Sequence, residues 1–176
     1  MNKPYLLIVT GRPGSGKSTF AEALSKEICM QLISRDRIKE GYVHTMGKGH
    51  LQLPQESNGI VNEVFFSTLM RLIEGGISVI AEAAFQHKLW SAMLGQFMDR
   101  ANIRLLICTV NEQLAHERYI LRKQNDPQRE HFHGDAVEPS PRPYEEPKLE
   151  VPTFYIDTSG EYRPAISELF TDIIST

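Results

Sequence analysis

Apolar positions along the chain recur in two alternating patterns, short continuous runs and longer stripes at helical spacing. Tyr5-Leu-Leu-Ile-Val9 is a continuous run that stops at a glycine cluster, as a strand buried on both faces should. From Ser18 to about Met30, Phe20, Ala21, Ala23, Leu24 and Ile28 fall near helical spacing, with Glu22, Lys26 and Glu27 on the other side. Gln31 to Ile33 predicts a second, short strand, and a helix starts at Arg37. Ile60 to Ile73 predicts a helix ended by Gly75-Gly76, Ile77 to Ala81 a buried strand stopping at Glu82, and Lys88 to Arg100 a further helix. Ile103 to Val110 predicts a strand, Asn111 caps a helix running to about Gln124, Val151 to Ile156 forms the last strand, and Pro164 opens a C-terminal helix.

Two stretches resist this reading. Gly41 to Gly59 is rich in Gly, His and Gln without a clear period and predicts mostly loop. Asn125 to Glu150 carries five of the ten prolines and almost no aliphatic residues, so it is either a functional loop or disordered. Strands separated by helices imply an α/β fold, with five parallel strands covered on both faces as a three-layer sandwich. Ligands on such sheets bind at the carboxyl ends of the strands.

Composition changes this picture little. One core accommodates 176 residues, and 41% hydrophobic with 23% charged residues is ordinary for a globular chain, so residues 1–176 are expected to form a single domain. The formal net charge of −3 argues against a broad polyanion-binding or membrane-binding surface, while leaving room for local positive charge. Cys29 and Cys108 lie in apolar surroundings without C-x-x-C spacing and read as packed thiols of a reducing compartment. No apolar run is long enough for a secretory signal or a membrane span, so a cytoplasmic location is expected.

The chemistry starts at Gly11-Arg-Pro-Gly-Ser-Gly16-Lys17-Ser18, which matches G-x-x-x-x-G-K-[ST] between a buried strand and a helix. Glycines let successive backbone N–H groups turn toward phosphate oxygens, the helix amino terminus adds partial positive charge, and Lys17 adds a full one. The Ser18 hydroxyl suits Mg²⁺. The pattern predicts a nucleoside triphosphate site built from Gly11, Gly14, Ser15, Gly16, Lys17, Ser18 and Thr19.

With Ile33-Ser-Arg-Asp36, Val79-Ile-Ala-Glu82 and the Arg118/Arg122 helix added, the chain resembles small P-loop kinases. These are ATP-binding P-loop NTPases of AAA type, in a group that includes polynucleotide 5′-kinase-like, shikimate and gluconate kinase-like, and zeta-toxin-like phosphotransferases. The resemblance spans most of the chain except Gly41 to Gly59 and the proline-rich segment. It implies ATP and Mg²⁺ as cofactors, Asp36 as the base that accepts the acceptor hydroxyl, Arg118 packed on adenine, Arg122 reaching the phosphates and Arg129 as a further lid charge. It also places Asp157-Thr158-Ser159-Gly160 where the base edge is read. The lack of an N-K-x-D motif favours ATP over GTP.

Each role has a plainer rival. Asp36 could cap a helix, and Glu82, serving either Mg²⁺ or the acceptor, could merely cap the next turn. Arg118 and Arg122 share a helix face that could simply be solvated and paired with Glu117. Arg37 and Lys39 could hold an anionic acceptor, although polynucleotide kinase-like relatives tend to carry Arg where Lys39 falls; Arg35 could be a surface charge. Phe85, Gln86, His87 and Trp90 could line an acceptor pocket or belong to the core. His131 and His133 resemble a metal pair but lack a third ligand of matching spacing.

The expected function is transfer of the γ-phosphoryl of Mg-ATP to a hydroxyl of a small molecule, with Lys17, Asp36 and Arg122 catalytic. Gly41 to Gly59 would shape the acceptor side, and the segment from 125 to 150 would act as a lid. A 5′-hydroxyl polynucleotide kinase is the disfavoured alternative within the enzymes, and an ATP-hydrolysing switch protein the alternative outside them.

Overall fold

The computed structural model describes residues 3–85, 87–134 and 144–175. Its centre is a five-stranded parallel sheet in the order β2-β3-β1-β4-β5. The strands are β1 (Tyr5–Gly11), β2 (Gln31–Ser34), β3 (Val79–Glu82), β4 (Asn102–Thr109) and β5 (Thr153–Asp157). The three inner strands are the apolar runs, because a parallel sheet with helices on both faces leaves neither side of a central strand in water. Leu6, Leu7, Ile8 and Val9 of β1 are all fully buried.

The helices are α1 (Lys17–Glu27), α2 (Arg35–Met46), α3 (Ser57–Glu74), α4 (His87–Leu94), α5 (Glu112–Asn125), α6 (Arg129–His133) and α7 (Ile166–Ser175). On one face, Leu7, Val9, Leu106 and Ile156 pack against Phe20 and Leu24 of α1 and Leu169 and Ile173 of α7. On the other, Leu6, Ile8, Leu105 and Ile107 meet Phe65, Leu69 and Ile73 of α3 and Trp90 and Leu94 of α4. This alternation of neighbours along β1 and β4 is the two-residue period of a strand made visible.

Four sequence expectations change. The segment Gly41 to Gly59 is not mostly loop: α2 begins at Arg35 and runs through Met46, a 3-10 turn covers His50–Gln52, and α3 begins at Ser57. Its polar sequence hides the helix because Lys39 and Val43 are the buried side chains of α2. The helix expected over Lys88 to Arg100 stops at Leu94, and the chain continues in turns through Phe97 N–H to Leu94 carbonyl (2.9 Å) and Arg100 N–H to Phe97 carbonyl (3.0 Å). Phe97 is still buried, so the apolar spacing is kept without the helix. Cys108 is a packed thiol, but Cys29 is exposed, in a left-handed turn after α1. Within the proline-rich segment, α6 and the irregular stretch from Tyr144 are described, whereas the rest of the expected lid, 135–143, lies outside the described residues.

Candidate functional site

The loop between β1 and α1 crosses the carboxyl end of the sheet where the strand order reverses on either side of β1. Its fold depends on glycine. Gly14 has φ 81°, and a Cβ there would lie 2.1 Å from the Ala115 carbonyl oxygen, so α5 presses directly on the loop backbone. A Cβ on Gly11 would meet the Ser15 hydroxyl at 2.5 Å and the Cys108 carbonyl at 2.6 Å. Gly16 is the N-cap of α1, which has neither a side-chain cap nor an acidic residue in its first turn. The Ser15 N–H closes a turn onto the Arg12 carbonyl (3.0 Å) and the first intrahelical bond runs from Phe20 N–H to the Gly16 carbonyl (2.9 Å), so the N–H groups of Lys17 to Thr19 are the helix-terminal donors suited to an anion.

The cradle is held from below. Thr158, buried just past β5, donates its hydroxyl to the Ser15 carbonyl (2.6 Å), with the Thr109 carbonyl 3.1 Å away. Arg118 Nη2 donates to the Thr158 carbonyl (2.8 Å) and the Ser159 carbonyl (3.2 Å), tying α5 to the same loop. Asp157 is exposed and accepts the Ser159 N–H through Oδ1 (2.8 Å); those hydrogen bonds hold its carboxyl below the ordinary range. Cys108 lies behind the loop, where burial pushes its thiol up to about 12, Lys17 pulling it down and Glu82 adding to the rise.

Glu82 ends β3 in register with Val9 of β1 and Ser34 of β2. It is 1% exposed, and both oxygens are engaged: Ser18 Oγ donates to Oε1 (3.0 Å) and Ser34 Oγ donates to Oε2 (2.6 Å). Glu82 therefore does more than cap the following turn. Ser34 is the residue that sequence reasoning left without a role. It is the N-cap of α2, yet its hydroxyl serves Glu82 instead of the helix, a choice set by strand register and invisible in the sequence.

An open cleft of about 560 Å³ runs from this point. Lys17 and Ser18 line it from the phosphate loop, Asp36, Arg37, Lys39 and Glu40 from α2, Tyr119 and Arg122 from α5, and Arg129 and His133 from α6. The structure thus brings together Lys17, Ser18, Asp36 and Arg122, with Arg129 from the expected lid. Arg118 and Asp157 lie on the other side of the phosphate loop, beside Thr158. Asp36 is the second residue of α2, so it does not cap that helix; its carboxylate is 43% exposed and stands 3.5 Å from Arg35.

Other expectations resolve into structure. Arg35 is not a surface charge: its side chain is 12% exposed and donates to Asn62 (3.1 Å) and Asn58 (2.8 Å) of α3. Arg37 pairs with Glu22. Phe85 and Trp90 belong to an aromatic cluster with Phe65 and Phe66, which assigns them to the core and not to an acceptor pocket. His87 accepts the Lys148 N–H through Nδ1 (3.2 Å), and Gln86 lies outside the described residues. His133 Nε2 stands 3.0 Å from Glu40 Oε1, so its partner is a carboxylate of α2.

The residues fit Mg²⁺ and a nucleoside triphosphate on their own chemistry. Ser18, Glu82 and Ser34 supply hard oxygen donors at one point, Lys17 is 6% exposed beside them, and the buried Ser15 hydroxyl in the loop has no hydrogen-bond partner among the described residues.

Comparison with known proteins places the family and the fold. Residues 6–147 match the family model described as an AAA domain. No curated protein matches the chain significantly. Among solved structures, a presumed kinase from Chloroflexus aurantiacus superposes with a TM-score of 0.83 at 20% identity, covering 99% of this chain and 98% of that one. The APS kinase of Mycobacterium tuberculosis, in complex with AMPPNP and APS, superposes with a TM-score of 0.67 at 15% identity over the full length of both chains. A gluconokinase from Sinorhizobium meliloti gives a TM-score of 0.57 at 16% identity, covering 99% and 92%. At such identities the likeness is one of fold, and that fold is P-loop kinase-like.

Proposed function

This chain belongs to the AAA-domain family, and on that premise we propose that it is an ATP-dependent phosphotransferase that moves the γ-phosphoryl group to a hydroxyl of a small acceptor. The observation that carries the reading is the meeting, in one cleft, of a phosphate-loop lysine, Ser18 bonded to the buried Glu82 behind it, and a solvent-reachable Asp36 carboxylate from the opposite wall. Phosphoryl transfer asks a protein for positioning, charge neutralisation and a group to receive the hydroxyl proton, and those are the three things assembled.

In this reading the N–H groups from Gly16 to Thr19 bind the phosphate oxygens, with Arg118 and Asp157 on the nucleotide side of the loop. Ser18 and Glu82 hold Mg²⁺, which when bound screens the phosphate charge. Lys17 and Arg122 stabilise the negative charge on the phosphoryl group in passage. Asp36 orients the acceptor hydroxyl and takes its proton as the new P–O bond forms and the bond to ADP breaks. The short helix α6, with Arg129 and His133 on the cleft, helps to keep water from the reaction.

The test is acceptor dependence of ADP release from the purified chain with Mg-ATP, across sugars, antibiotics, nucleosides and 5′-hydroxyl oligonucleotides. A rise over basal hydrolysis with a phosphorylated product supports the kinase. Release that ignores every acceptor but responds to an added protein partner overturns it in favour of a switch.

A further inference from the structure

Ser34 belongs to two elements at once. As the last residue of β2 it stands opposite Glu82 in the ladder, and as the N-cap it starts α2, whose first turn carries Asp36. A serine at that position ordinarily turns its oxygen to an N–H of its own helix, and this one makes no such bond. Its hydroxyl donates across to Glu82 Oε2 at 2.6 Å, the length of a charge-assisted O–H···O⁻ bond. A carboxylate buried as Glu82 is needs donors on its oxygens, and Ser18 and Ser34 supply one to each.

The same bond fixes the start of α2. β2 is an edge strand of four residues, paired only with β3, so a side-chain bond at its last residue adds a constraint that an inner strand takes from a second neighbour. The next residue, Arg35, is tied to α3 through Asn62 (3.1 Å) and Asn58 (2.8 Å). Two consecutive residues are therefore pinned, one to the Glu82 carboxylate and one to α3, and Asp36 follows them directly into the cleft.

We propose that Ser34 is a positioning residue that holds the Glu82 carboxylate in its cation-binding orientation and, through the start of α2, sets Asp36 relative to it. The nucleotide wall and the acceptor wall are thus joined at one hydroxyl. This deepens the kinase reading and rests on it for the roles of Glu82 and Asp36, but the hold on Glu82 can be tested by binding alone.

The experiment is calorimetric titration of the full chain with AMPPNP at graded Mg²⁺ and in EDTA. Ser34→Ala should raise the Mg²⁺ concentration for half-maximal AMPPNP binding about tenfold, the low end for loss of a partner that orients a metal-binding carboxylate. Affinity in EDTA should stay unchanged, and Ser34→Thr, which keeps the hydroxyl on a residue suited to a strand end, should restore most of the Mg²⁺ response. Added to Glu82→Gln, Ser34→Ala should shift the Mg²⁺ response no further, because a residue acting through Glu82 then has nothing left to orient. With the identified acceptor, kcat of Ser34→Ala at saturating Mg²⁺ should remain about tenfold low, since the cation does not reset Asp36. Should Ser34→Ala fail to fold by circular dichroism, Ser34→Cys, similar in size with a much weaker donor, serves as the test.

An unshifted Mg²⁺ response in Ser34→Ala overturns the proposal. So does a further shift in the double variant, which would make Ser34 act independently of Glu82, or a loss of affinity in EDTA as large as that in Mg²⁺, which would make it a support of the fold alone. Full kcat at saturating Mg²⁺ overturns the link to Asp36. AMPPNP binding by the unsubstituted chain that ignores Mg²⁺ sinks the reading of the Ser18–Glu82 site and the proposal with it. The Mg²⁺ shift as described with no phosphorylated product leaves the hold on Glu82 standing and sinks the kinase reading instead.

Discussion

The two walls of the cleft are built from different materials. The nucleotide wall is backbone and buried hydrogen bonds: a glycine-dependent loop pressed by α5, a Thr158 hydroxyl under Ser15, and a Glu82 carboxylate locked between two serines. The opposite wall, to which our proposal assigns the acceptor, is long charged side chains standing on α2 and α6, with Glu40 meeting His133 between them. A backbone cradle recognises what all nucleoside triphosphates share and tolerates little change, because one added Cβ at Gly14 collides with main chain. Side chains on helix surfaces can be exchanged one at a time, which is how a single fold serves different acceptors.

That contrast can be broken in several ways. The largest effect is expected on the acceptor wall at the reacting group. Asp36→Asn should lower kcat about 100-fold or more while the KM for ATP stays put, as expected for loss of a general base; steady-state assay with the identified acceptor decides it, and an unchanged kcat removes Asp36 from the chemistry. On the nucleotide wall, Glu82→Gln keeps the shape but not the charge between Ser18 and Ser34. The Mg²⁺ concentration for half-maximal activity should rise about 10–100-fold, and a flat Mg²⁺ response would show that this carboxylate serves something else.

Smaller effects test whether the nucleotide wall is held as described. Thr158→Val removes the donor to the Ser15 carbonyl and should cost about 1–2 kcal/mol, or roughly 2–8 °C in Tm, with weaker ATP binding. If Tm falls with no change in ATP affinity, Thr158 supports the fold but not the cradle. Smallest of all is the thiol contrast. At pH 8 a disulfide reagent should titrate one thiol, the exposed Cys29, and reach Cys108 only on unfolding. Because Cys108 is raised from 9.0 to about 12, the folded state holds its proton where the unfolded state has lost it. Its contribution to stability is therefore full below pH 9 and is lost as pH rises toward 12, so Cys108→Ala should flatten the alkaline fall in Tm. A fall of unchanged steepness would assign the alkaline sensitivity elsewhere, for instance to Tyr144, whose phenol burial pushes up to about 12.

Legibility followed the same division. The β1 run and the glycine-lysine-serine loop could be read directly, since a doubly buried strand and a phosphate loop are both written in contiguous residues. The Asn111 cap was equally plain, and its side chain accepts the Leu114 N–H at 2.8 Å as a capping residue should. The course of α2 through Met46 was not readable. The helix is held by Arg35, its first residue, reaching two asparagines on α3, and by Glu40 at its middle meeting His133, contacts between residues 23, 27 and 93 positions apart. For Phe85 and Trp90 the sequence left pocket and core both open, because aromatic spacing says nothing about which face of a sheet they will cover.

What the sequence by itself determined is the chemistry offered: a parallel α/β sheet, a phosphate loop at its carboxyl edge, and carboxylates at two further strand ends. Local periodicity and contiguous motifs carry that information. The tertiary structure alone decided how those groups are joined. Strand register sets Ser34 and Ser18 on the two oxygens of Glu82, and the packing of α2, α5 and α6 gathers Asp36, Lys39, Arg122 and Arg129 around one cleft. Such juxtapositions depend on which elements pack together, and no local stretch of chain contains that information.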